Sequence, residues 1–152
     1  MAAAIGFIDF SKSQESSGAV RPVEEHQAPE LALLMGDLQR LTHKMALAAD
    51  AGNPDLASFY MHESIEQLTA IQRDSPEYEG QPVALLIDRI GLPAYRAFGE
   101  AVAARPVDRE RLLGALDGVI GSCNRCHEST GHGIIRITRG TEVNPFNQSF
   151  KP

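Results

Sequence analysis

A chain of 152 residues with a formal charge of −6 and no tryptophan has room for one domain built on a single core. Its acidity argues against nucleic acid and anionic membrane surfaces as partners, and favours a partner protein with a basic patch. No apolar run reaches the roughly 20 residues needed to cross a bilayer, so membrane insertion is not expected.

Residues 1–27 lack sustained periodicity and include the polar run Ser11 to Gly18, which predicts an irregular N-terminal extension. The opening Met1 to Phe10 is apolar but has no basic residue before it and carries Asp9, so it makes a poor leader peptide. From Pro29 the pattern changes. Leu31, Leu34, Leu38, Leu41, Met45 and Ala48 recur every three or four residues, the stripe of a first helix that ends in Asp50 to Asp55. Asn53 is a suitable N-cap for a second helix, with Pro54 at its first position and Ala57, Met61, Ile65 and Leu68 facing inward as far as about Gln72. After the break at Asp74 to Gly80, Pro82 opens a third apolar stretch, which Gly91-Leu92-Pro93 is predicted to kink or split before Tyr95, Phe98 and Val102. Asp108 caps a fourth helix with the stripe Leu112, Leu116, Val119, Ile120, Cys123 and His127, and Gly131 is its expected end. The fold expected is all-α: an antiparallel four-helix bundle, up-down-up-down, over residues 28–131, followed by an extended C-terminal tail over 132–152 that lies on the surface or on a partner.

Both cysteines of the chain fall in Cys123-Asn124-Arg125-Cys126-His127. Cys-x-x-Cys-His is the spacing for covalent attachment of one haem c, in which each thiol forms a thioether with a porphyrin vinyl group and the imidazole becomes the proximal axial ligand. On a helix, Cys123, Cys126 and His127 share an arc of roughly 100° that continues the apolar stripe, so the porphyrin would sit inside the bundle. In an alternating bundle the start of the first helix lies at the same level. Leu31, Leu34 and Met35 are therefore the expected distal pocket, with Met35 the candidate distal axial ligand. A methionine at the edge of a stripe also serves simply as core filler, which leaves the sixth position vacant. His43 and His62 would lie roughly 12 and 15 Å further along their helices and are read as ordinary helix residues. His132 is assigned a structural or propionate-side role. Arg125 and Arg136 are either propionate partners or solvated surface residues.

Two other uses of Cys-x-x-Cys compete. A structural zinc could take Cys123, Cys126 and His127 or His132, although zinc knuckles place the pair on a tight turn and not on a helical stripe. A redox thiol pair is disfavoured near a helix C-terminus, where the dipole opposes a thiolate. No catalytic triad, phosphate loop or carboxylate pair stands out, and an enzyme is not expected.

A pentapeptide of this kind near the end of the last of four apolar-striped helices resembles the bundle-type, class II c cytochromes, the cytochrome c-prime and cytochrome c556 group. The resemblance covers roughly Pro29 to Gly131. It implies a haem protein with Cys123 and Cys126 as thioether positions, His127 as proximal ligand and Met35 at the distal wall. It also implies either a six-coordinate carrier of single electrons or a five-coordinate iron that binds NO or CO, and it allows a homodimer. The chain departs from c-prime proteins in having Thr130-Gly131 where an aromatic residue or arginine often follows the histidine, which counts against gas binding. Haem attachment further implies a periplasmic or otherwise exported protein, and hence either a leader removed before this numbering begins or a true start that differs from Met1.

Overall fold

The computed structural model describes residues 30–141 and the backbone pairing of Gln148–Ser149; the extension expected over 1–27 lies outside the described residues. The chain is mostly helical. In order it forms α1 (Leu31–Asp50), α2 (Pro54–Asp74), α3 (Val83–Leu86), a π-helical turn (Ile87–Gly91), α4 (Leu92–Ala103), α5 (Arg109–Ser129), β1 (Arg136–Ile137) and β2 (Gln148–Ser149).

Side-chain chemistry sets the helix limits. The Asn53 carboxamide oxygen accepts the Leu56 amide at 3.1 Å, and Pro54, which has no amide to leave unpaired, opens α2. Asp108 Oδ1 accepts the amides of Glu110 and Arg111 at 2.9 and 3.2 Å, satisfying two donors at the start of α5. At the far end of α5, Gly131 takes a φ of 79°, the left-handed conformation that glycine adopts without a steric penalty. Its amide donates to Glu128 O at 3.3 Å and the His132 amide to His127 O at 2.7 Å, the two crossed bonds of a Schellman cap.

Gly91-Leu92-Pro93 does not break the third stretch. Proline lacks an amide and its ring crowds the carbonyl four residues back. The helix answers by widening, so that the Leu92 amide reaches Ile87 O, five residues back, and helical backbone resumes in α4.

Leu34, Leu38, Thr42, Met45 and Ala49 bury the inner face of α1, and Ala57, Met61, Leu68 and Ile71 that of α2. Thr42 takes the buried place, whereas the expected Leu41 is only partly covered. Tyr95, Phe98, Leu112, Leu116 and Val119 complete the centre. α1 packs extensively on α2, α2 on α4 and α4 on α5, while α5 meets α1 only sparsely.

The segment after α5 folds back along this same chain. The Asn124 carboxamide donates to Ile137 O at 3.0 Å and accepts the Ile137 amide at 2.8 Å. Further along, Arg139 pairs with Asp117 through Nε at 2.6 Å, and a ring nitrogen of His43 on α1 is hydrogen-bonded to Gly140 O at 2.8 Å. This strap therefore spans the sparse α1/α5 seam. β1 also pairs antiparallel with β2, Arg136 opposite Ser149 and Ile137 opposite Gln148.

Candidate functional site

Where α1 and α5 stand apart, a cavity of about 380 Å³ opens between α1, α3 and α5, within the usual size range of cofactor sites. Its α1 wall carries Leu31, Met35, Leu38, Gln39 and Thr42, spaced to share one helical face. Across from it, Cys123, Cys126, His127 and Thr130 line the wall supplied by α5. Val83, Leu86 and Ile87 close one side, Tyr78 and Gln81 come from the turn before α3, and His132, Ile135 and Ile137 come from the cap and strap. Most of this lining is apolar.

His127 is held in one orientation. Its Nδ1 lies 2.7 Å from Ile135 O, and a carbonyl can only accept, so Nδ1 carries the proton and donates it. In the neutral ring Nε2 then keeps its lone pair. Metal-ligating histidines are typically prepared in this way, with the second ring nitrogen donating to a carbonyl that fixes tautomer and ring plane.

The two thiols are unpaired with each other and half-buried. Burial, and after it the proximity of Cys126, pushes the Cys123 thiol from 9.0 up to about 11. Cys126 is also raised by burial, with Arg125 opposing the shift. Both stay protonated at neutral pH, the reverse of the activated thiolate that a redox pair needs.

At the inner end of the cavity Thr42 Oγ1 donates its one proton to Leu38 O at 2.8 Å. The 2.6 Å contact between Thr42 Oγ1 and the Tyr95 hydroxyl is therefore donated by the tyrosine. Tyr95 is 1% exposed, and burial, reinforced by nearby Cys123, raises its phenol well above the ordinary value.

Of the residues expected at the site, the structure brings Leu31, Met35, Cys123, Cys126 and His127 to one cavity, and adds His132. Leu34 is corrected: it does not line the cavity. One residue before Met35, it is turned about 100° round the helix, and it is buried in the core on a turn whose carbonyl accepts from Gln67 of α2 at 2.9 Å. His132 has Nδ1 2.9 Å from Thr130 O and Nε2 3.8 Å from a Glu79 carboxylate oxygen, at the cavity mouth beside Tyr78. His43 binds the strap, and His62 is exposed with Nδ1 2.8 Å from Ser58 O; neither lines the cavity. Arg125 and Arg136 are exposed and also lie outside the lining. Among the described residues no group of three His, Cys, Asp or Glu side chains is placed to hold a metal ion.

Sequence reasoning missed Asn124, Thr42, Ile135 and Ile137. Thr42 was within reach, since it lies seven residues after Met35 on the same helical face. The strap contacts leave no periodic signal. Protein-family models, curated proteins and solved structures were all compared with the chain, and none matches.

The donor set suits a haem: two thiols one helical turn apart, an imidazole with its Nε2 lone pair kept free, and an apolar cavity bounded by these three side chains. No helix among the described residues is long and apolar enough to cross a membrane.

Proposed function

We propose that the chain is a c-type cytochrome carrying one covalently attached haem c, with single-electron transfer as its function. The observation that carries this reading is the His127 hydrogen bond to Ile135 O, which leaves Nε2 as a ligand at a cavity that both thiols of the Cys-x-x-Cys-His motif also line. Cys123 and Cys126 would hold the porphyrin as thioethers, and His127 would ligate its iron. Met35, on the facing wall of α1, is the candidate sixth ligand. When bound, haem supplies a one-electron ferric/ferrous couple.

The chain's own residues do the rest. Leu31, Leu38, Val83, Leu86 and Ile87 give the cavity apolar walls that would keep water away from a bound porphyrin. The helix order and packing are consistent with the antiparallel up-down-up-down bundle of class II c cytochromes, and that architecture is part of the proposal. The acidic surface suits a basic redox partner in an exported compartment.

Expression in cells equipped for haem attachment, followed by a mass spectrum of the purified protein, tests the reading. One haem per chain on a peptide containing Cys123 and Cys126 is the expected result; a colourless protein with two alkylatable thiols would refute it.

A further inference from the structure

The first variable residue of the pentapeptide is tied into the strap. Asn124 uses both ends of its carboxamide on one residue, donating to Ile137 O at 3.0 Å and accepting the Ile137 amide at 2.8 Å. Two antiparallel bonds to a single backbone unit leave that unit neither slide nor rotation. Ile135, two residues earlier on the same extended segment, presents its carbonyl to His127 Nδ1 at 2.7 Å. One turn of α5 therefore holds the strap at Asn124 and receives its carbonyl at His127. Ile137 itself is buried, which excludes water from competing for the clamp.

We infer that Asn124 is a positioning residue for the iron: its clamp on Ile137 fixes the Ile135 carbonyl against His127 Nδ1, and through it the tautomer, plane and electron-donating strength of the imidazole. The inference rests on the haem reading above. Its sign follows from the hydrogen bond. A donated Nδ1 proton gives the ring more imidazolate character, which favours ferric iron and lowers the redox potential. Releasing the clamp frees the carbonyl, weakens the ligand and raises the potential.

The test uses the haem-bearing protein and compares wild type, Asn124→Ala and Arg139→Ala. Arg139 secures the strap to Asp117 further along, without touching Asn124 or His127. Asn124→Ala is expected to lose about tenfold in its preference for ferric over ferrous iron, an upward shift of about 59 mV for one electron. Its slowly exchanging His127 Nδ1 proton is expected to vanish from the nitrogen–proton NMR spectrum. Arg139→Ala is expected to keep both the wild-type potential and that signal. A potential and signal unmoved in Asn124→Ala, or moved equally in Arg139→Ala, would overturn the positioning role while the haem reading stands. A wild type that takes up no haem would instead remove the reading underneath. If Asn124→Ala does not accumulate, hydrogen exchange in the wild type decides. The Ile137 amide and the His127 ring proton should show one opening free energy once each rate is divided by that group's intrinsic exchange rate, and a ring proton that opens while the amide stays protected overturns the inference.

Discussion

Met35 is the residue whose role divides the functional alternatives. It lines the cavity opposite the α5 wall, and a thioether on iron stabilises the ferrous state and blocks the sixth position. Ferrous wild type is therefore expected to bind CO slowly, whereas Met35→Ala binds it at once and has a lower potential; stopped-flow mixing and a redox titration check both. Immediate CO binding by wild type would favour the five-coordinate reading. Cys123 offers a second check, in the chain without haem. Its folded thiol titrates near about 11 and its ordinary value is 9.0. Above pH 9 the unfolded chain gives up this proton first, so the contribution to stability falls as pH rises towards 11 and then levels off. Urea midpoints of the unmodified chain and a Cys123→Ala variant should diverge across that interval and run parallel below it. At this scale the sequence disclosed which side chains meet, because two thiols and an imidazole at fixed spacing need only a helix to converge on one cavity. It did not disclose Asn124. A carboxamide between two cysteines has no local partner to betray it, and Ile137 arrives only through the fold.

Caps and breaks of the helices were legible because they are local chemistry. Asn53 and Asp108 cap where their side chains predicted, and Gly131 ends α5 by adopting the φ that it alone tolerates cheaply. Gly131→Ala should cost about 1–2 kcal/mol from the left-handed conformation, read as a lowered urea midpoint. The cap also aims the His132 side chain at the cavity, so the variant should disturb the haem spectrum more than an equally destabilising change elsewhere, such as Asp108→Ala at the other end of α5. Pro93 shows where local reading stops. Its missing amide was visible, but whether a helix breaks or widens depends on the packing on either side. Here Ile87, Leu92 and Tyr95 are all buried, and a break would expose them. Leu34 was misplaced for a similar reason. A stripe of leucines reveals one apolar face without saying which neighbour covers which edge, and Leu34 is buried in the core outside the cavity lining.

Across the whole molecule, the sparse contact between α1 and α5 makes the cavity part of the core. A variant with both Cys123 and Cys126 replaced by alanine should keep its helical circular dichroism but melt below the haem-bearing protein, since the apolar walls then face each other across unfilled space. Equal melting temperatures would show that the cavity contributes nothing to stability when filled. What the sequence could not convey at this scale is which helices would stand apart, because spacing sets the face of a helix and not its distance from the next. The Thr42 to Tyr95 contact ties α1 to α4 at the inner end of that gap, and the direction of its two bonds bears on what can dwell there. Each hydroxyl has already committed its only hydrogen, one to Leu38 and one to Thr42. A polar group entering this end of the chamber would therefore be offered no hydroxyl proton by the pair as it stands, and would have to displace one of these two bonds to gain one.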